Sequence, residues 1–189
     1  MIFETIITSI DAVGIVHITP FGIRNEGDFV VISPYKPSTT LDNILATKHA
    51  VMNLTDDVRV FAGVLTNRQS WQLLQASKVA GFRLTDCLAH VELKLVEVRE
   101  DATRPQLVMQ KVFEQNHRPF AGFNRAQAAV IELAVLASRL HMLPREKIEA
   151  EMTYLQIAID KTAGEREKEA WRWLKEKIES FYKENAVTH

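Results

Sequence analysis

One cysteine in 189 residues excludes an internal disulfide, and Cys87 has no neighbouring thiol with which to build a zinc site. The seven glycines are too dispersed to make G-x-G-x-x-G. Gly22 and Gly27 have the spacing of a P-loop's two glycines, but Asp28 stands where the phosphate-binding lysine belongs. Six histidines (His17, His49, His90, His117, His141, His189) contain no H-x-x-x-H pair, and no G-x-S-x-G elbow occurs. Charge is nearly balanced, 23 Lys plus Arg against 24 Asp plus Glu, so no net field favours nucleic acid, an anionic membrane or a polyacidic substrate. Any anion must be gripped locally. Met1-Ile-Phe-Glu-Thr lacks the basic start and long apolar run of a signal peptide, so the expectation is a cytoplasmic protein with neither a membrane nor a nucleic-acid partner. With 47% hydrophobic and 25% charged residues, the composition is that of an ordinary globular chain long enough to bury its own core.

The pattern changes once along the chain. Its first part alternates short apolar runs with turn chemistry, as in a small barrel. Ile2–Thr8 and Val13–Thr19 predict an antiparallel pair, and Gly22-Ile-Arg and Phe29–Ser33 bracket a turn at Asn25-Glu-Gly-Asp where Gly27 can take a positive φ. Pro34 and Pro37 stop that strand, and Ser38 caps a short apolar helix. Ala50–Leu54 predicts another strand, and Asp56 or Asp57 the cap of a helix carrying Val58, Phe61, Ala62 and Leu65 on one face. Within His90–Val98, Val91, Leu93 and Leu95 alternate with Glu92 and Lys94, which predicts a half-buried strand paired with Leu107–Phe113. After Asn124 the period becomes helical. Ala126–Met142 is apolar on most faces, with Gln127 placed to complete a cap at Asn124; Pro144 opens a second helix with Ile148, Met152, Leu155 and Ile159 in a stripe. Thr162 and Glu165 predict the capping box of a third, with Trp171, Leu174, Ile178 and Phe181 inward. The expected class is α+β, mainly β: a barrel over about 1–120 and a helical part over about 121–189, packed on the barrel or on a dimer interface.

Chemistry concentrates in Tyr35-Lys-Pro-Ser-Thr-Thr, Asn43 and Asn53-Leu-Thr-Asp-Asp. One cation, three hydroxyls and the amides of a helix start meet where a strand hands over to a helix, which suits a phosphate monoester. A Pro-bounded loop with a Ser/Thr cap and a solvated lysine explains the same residues. With no nucleophile, metal signature or local acid–base pair, catalysis here would draw on a cofactor.

Thr19-Pro-Phe-Gly-Ile, Tyr35-Lys-Pro-Ser-Thr-Thr, Val51-Met-Asn-Leu-Thr-Asp-Asp, Gly122-Phe-Asn-Arg-Ala-Gln-Ala-Ala-Val-Ile-Glu and Ala137-Ser-Arg-Leu, in this order and spacing, resemble an uncharacterised flavoprotein-like family of the FMN-binding split-barrel superfamily, relatives of flavin reductases. The matching pieces span residues 1 to about 140, roughly three quarters of the chain. The resemblance implies a six-stranded split barrel that forms a homodimer, with FMN in a groove near the subunit interface. It implies a phosphate grip of Lys36, Ser38, Thr39 and Thr40 supported by Asn43. Thr19, Pro20, Phe21 and Gly22 would run beside the isoalloxazine, and Asn53 and Thr55 would bond to the ribityl chain or ring edge. Without the resemblance, Asn53 is a strand-end residue and Thr55 a helix cap. Asn124 and Arg125 match the family's Asn-Arg-Ala motif. Arg125 opposes the dipole of its own helix, which calls for an outside anion or a salt bridge, and flavin, substrate and partner subunit all stay open. The implied activity is that of an FMN-dependent oxidoreductase using NAD(P)H or a small-molecule substrate, with a link to tetrahydromethanopterin or methanofuran carriers; a non-catalytic FMN carrier or flavin sensor is the alternative.

Overall fold

The computed structural model describes residues 1–68 and 70–186. Two compact units form: Met1–Thr55 with Ser70–Phe120, and Asp56–Gln69 with Ala121–His189. The predicted division near residue 120 does not anticipate that the 56–69 excursion belongs with the later helices.

The first unit is a closed six-stranded antiparallel barrel in the order β1-β2-β3-β8-β7-β4, with strands β1 (Ile2–Ile10), β2 (Val16–Glu26), β3 (Phe29–Ile32), β4 (His49–Leu54), β7 (Ala89–Arg99) and β8 (Gln106–Asn116). Between β4 and β7 lies a two-stranded ribbon, β5 (Leu73–Gln75) and β6 (Phe82–Leu84). Alternation sends Ile7, Ile23, Val30, Ile32, Met52, Val91, Leu93, Leu107 and Met109 into the barrel, where Leu41 and Ile44 of helix α1 (Thr39–Thr47) join them. Burying each such side chain contributes about 1.5–3 kcal/mol before chain entropy is charged against it.

Two predicted strands, Val13–Thr19 and Gly22–Arg24, are one. β2 runs unbroken through Pro20, pairing with β1 from Val16 to Arg24, whereas β3 pairs with it only from Arg24 to Glu26. A strand with one ladder partner over most of its length tolerates a residue without an N–H. Gly27 takes φ +64° in the β2–β3 turn, as its position requires.

The second unit holds α2 (Arg59–Leu65), α3 (Arg125–Ala137), α4 (Arg145–Thr162) and α5 (Glu165–Ala186). Three capping expectations are corrected here. α2 has Val58 at its N-cap without a side-chain bond, while Asp57 accepts the N–H of Arg59 at 3.1 Å and grips its guanidinium at 2.6 Å. Asn124 does cap α3, accepting from Ala126 N–H at 2.8 Å, but Gln127 turns away to Glu167 at 3.2 Å. The α5 box is shifted two residues: Thr162 returns its hydroxyl to Ala158 within α4, and Glu167 accepts from the Gly164 N–H at 2.9 Å. A box needs its acid three residues past the cap, and counting from Gly164 that residue is Glu167. α3 also ends at Ala137 rather than Met142. Its apolar surface packs against α2, α4 and α5, with Ala126, Val130 and Leu133 fully buried.

Candidate functional site

The β3-to-α1 junction is built by a cap and a strap. Ser38 has extended backbone and accepts the Leu41 N–H on Oγ at 3.3 Å, which starts α1. Thr39 is exposed in the first turn, whereas Thr40 is buried. Lys36 is exposed and tied to the β7–β8 turn: its N–H donates to Thr103 O at 2.9 Å and its Nζ to Asp101 O at 3.1 Å. Arg104, which sequence reasoning missed, sits on the same loop, its Nε donating to Ser33 O at 3.0 Å. No sequence pattern links residue 104 to residue 33; the β3–β8 pairing, Ile32 opposite Leu107, does.

Beside this junction, α1 is joined to the sheet by polar contacts. Buried Asn43 donates Nδ2 to Ser9 Oγ at 3.1 Å. Ser9 stands opposite His17 in the β1–β2 register, and His17 Nε2 bonds to Thr19 Oγ1. Asn43 and Thr19, far apart in sequence, are thereby brought into one polar cluster. Burial lowers the His17 pKa, so its imidazole is neutral at pH 7. Pro20 and Phe21 follow on β2; Phe21 packs partly into the core and its carbonyl accepts from Thr5 Oγ1 at 3.1 Å. Gly22 has a local reason to lack a side chain: a Cβ there would lie 2.9 Å from Ile2 Cγ2 and 3.2 Å from Glu4 Oε1.

Asn53 is fully buried, and its amide is used inside the unit. Nδ2 donates to Ile6 O and to Thr8 Oγ1, each at 3.2 Å, and Oδ1 accepts the Leu84 N–H at 2.7 Å. It brackets β1, β4 and β6. Thr55 is half-buried just past β4.

The outer face of the sheet holds a second cluster that sequence reasoning missed. Glu92, expected on a solvent face with Lys94, is 0% exposed because the β5–β6 segment covers it. Its Oε1 accepts from Ser77 N–H at 2.6 Å, and its Oε2 from Lys78 at 2.6 Å and Val79 at 2.9 Å. His90 Nε2 lies 3.3 Å from Oε1, and His90 Nδ1 lies 2.9 Å from His117 Nε2, the two rings stacked at 5.0 Å. Burial alone would raise the Glu92 pKa, but donors from Ser77, Lys78, His90 and Val79 outweigh it and hold the carboxyl below its usual value. His90 and Glu92 are two apart on one strand, so the pattern put them on one face; it gave no sign that a ribbon would cover it. Among the described residues no group of three or more His, Cys, Asp or Glu is arranged to hold a metal ion, and no helix is long and apolar enough to cross a membrane.

Asn124 and Arg125 belong to the second unit. Asn124 is spent on the α3 cap and on Thr162 O, to which its Nδ2 donates at 3.1 Å. Arg125 is exposed and lines an α3–α4 groove of about 270 Å³ with Glu132, Tyr154 and Ile157.

Two family models cover most of the chain: that of a protein of unknown function (DUF447), N-terminal domain, over residues 3–118, and the companion DUF447 model over 124–176. No functionally curated protein matches. Among solved structures, an FMN-bound DUF447 protein of Methanosarcina mazei is 20% identical, with TM-score 0.79 over 93% of this chain and 94% of that one. A 2-nitrobenzoate 2-nitroreductase of Pseudomonas fluorescens is 20% identical, with TM-score 0.55 over 60% and 64%. An NADH:FAD oxidoreductase of Streptomyces globisporus is 9% identical, with TM-score 0.53 over 64% and 81%. These likenesses establish the split-barrel fold.

Proposed function

The chain belongs to the DUF447 family of proteins of unknown function, and we propose that it is an FMN-binding flavoprotein, an oxidoreductase of flavin-reductase type. The observation that carries this reading is the Ser38-capped junction, where a cation, hydroxyls and the amides of α1 meet on one loop. The FMN-bound relative that aligns over nearly all of both chains supports it.

The donor set fits a phosphate monoester. Ser38 Oγ accepts from Leu41 and keeps its own proton to donate; Thr39 adds an exposed hydroxyl, and Lys36 the charge. Thr40 and Asn43, both buried, support the grip from behind, Asn43 through Ser9. Thr19, Pro20, Phe21 and Gly22 flank the ring, with neutral His17 fixing the Thr19 hydroxyl. Asn53 acts indirectly by holding β4 against β1, and Thr55 offers a hydroxyl at the end of β4. Arg125 serves an anionic ligand or the partner subunit of a homodimer, and Asn124 sets the start of its helix. When bound, FMN supplies hydride acceptance and delivery at its ring, with NAD(P)H as the donor. The protein's part is to grip, orient and exclude water.

The test is spectroscopic. The full chain loaded with FMN should be yellow, and anaerobic NADH or NADPH should bleach it; tetrahydromethanopterin- and methanofuran-linked carriers are the first acceptors to screen. A chain that takes up no FMN would sink the reading. A yellow protein that neither nucleotide bleaches would be a carrier or sensor instead.

A further inference from the structure

We propose that the Arg104 guanidinium is the second cation of the phosphate grip, presented from the Tyr35 ring to meet the same dianion as Lys36. The proposal rests on the FMN reading above and assigns it a residue that decides between flavins with and without a phosphate.

The geometry begins at the β7–β8 turn. Asp101 Oδ1 accepts the N–H groups of Thr103 at 2.8 Å and Arg104 at 2.6 Å, which closes the turn and spends the nearby carboxylate on backbone. Those bonds, Arg104's first, together with the attraction of nearby Lys36, keep the Asp101 carboxyl below its usual range. The closed turn lays Arg104 along the loop that leads into α1. Its Nε donates to Ser33 O at 3.0 Å, its guanidinium lies 4.6 Å from the Tyr35 ring centroid, and Nη1 is 3.4 Å from the Tyr35 hydroxyl. Lys36 is tied to the same turn through Thr103 O and Asp101 O. Two cations are therefore anchored to one turn; neither lies in a salt bridge among the described residues, and the Asp101 carboxylate that attracts Lys36 is already engaged by two backbone N–H groups. Other arginines of the same sheet behave differently: Arg24 and Arg99 both pair with Glu26.

A cation held by a carbonyl and an aromatic face, with its Nη2 edge unused, is fixed in place without being neutralised. Its natural counter-ion is a dianion, and a phosphate monoester at neutral pH carries about −1.5 to −2 charges. Two cations match that charge where one does not.

The experiment compares FMN and riboflavin binding by fluorescence quenching for the full wild-type chain, Arg104→Ala, Arg104→Lys and Lys36→Ala. Arg104→Ala should weaken FMN roughly ten- to a hundredfold and riboflavin by less than about threefold. Arg104→Lys, which keeps charge and loses the fork, should recover part of the FMN affinity. The salt dependence of FMN binding should flatten in Arg104→Ala. Equal losses for both flavins would reduce Arg104 to a loop brace and overturn the proposal, as would an unchanged FMN affinity. A wild-type chain that binds neither flavin would overturn the flavoprotein reading too, whereas FMN preference kept in Arg104→Ala overturns this inference alone.

Discussion

Replacing Glu92 with glutamine tests whether a buried carboxylate holds the β5–β6 segment to the barrel. The native carboxylate receives N–H donors from Ser77, Lys78 and Val79 and faces His90 Nε2, so both oxygens are occupied. Glutamine keeps the shape, but its NH₂ must face at least one backbone N–H, and the charge that strengthened every bond is gone. Bonds to a charged group contribute about 1.5–3 kcal/mol each, and relief from burying a charge offsets part of the loss, so a destabilisation of about 2–4 kcal/mol is expected at pH 7. The assay is urea unfolding of both chains across pH. Because the folded carboxyl titrates below its unfolded value, its stabilisation is complete above the ordinary carboxylate range and is lost as pH falls through the folded value. The two unfolding curves should therefore converge in acid. A difference under about 0.5 kcal/mol at pH 7, or one that persists unchanged into acid, would refute the reasoning.

Lys36→Ala should lower FMN affinity at least about tenfold and leave riboflavin binding nearly unchanged, measured by fluorescence quenching. Removing residues 143–189 deletes α4 and α5 and strips cover from Val130 and Leu133, so the truncated chain should aggregate; a monodisperse product with a native-like melt would contradict this. Arg125→Ala removes an exposed side chain with no ion-pair partner among the described residues, so the flavin-free chain should melt unchanged while ligand or dimer affinity falls. Light scattering at micromolar concentration should give a homodimer with or without flavin, and a species of 21.5 kDa would exclude it.

The barrel was legible because one face of each strand is apolar: Val91 and Leu93 read as inward from alternation and are inward. The helices were legible from their stripes, since Ile148, Ile159, Leu174 and Ile178 are buried as their spacing requires. What the pattern did not carry were long-range polar partners. Ser38 was readable as a cap because a cap is decided within four residues, and Asn124 for the same reason. Arg104 at Ser33 and Glu92 at Ser77–Val79 depend on which strands become neighbours and which turn folds over them. Helix ends failed in a similar way: Gln127 matched the spacing of a box, but Glu167, supplied by another helix, took it.

The outer face of the sheet shows why such polar partners recur. Thr8, Asn53 and Glu92 lie on three adjacent strands, linked by the pairings Thr8 with Val51, Asn53 with His90 and Val51 with Glu92. Each bonds to the covering segment: Thr8 to Phe82 O, Asn53 to Leu84 N–H, Glu92 to the Ser77–Val79 amides. A ribbon of two three-residue strands pairs few of its own backbone groups, and burying the rest unpaired would cost about 1–3 kcal/mol each. Side chains from the sheet satisfy them, acceptors opposite N–H groups and a hydroxyl opposite a carbonyl. A wholly apolar outer face would leave these backbone groups unpaired, so the polar side chains set among Ile6 and Val51 are what permit the ribbon to be buried against it. Asn53 and Glu92 belong to the same device, and a substitution at either should loosen the segment between β4 and β7 before it disturbs the barrel core.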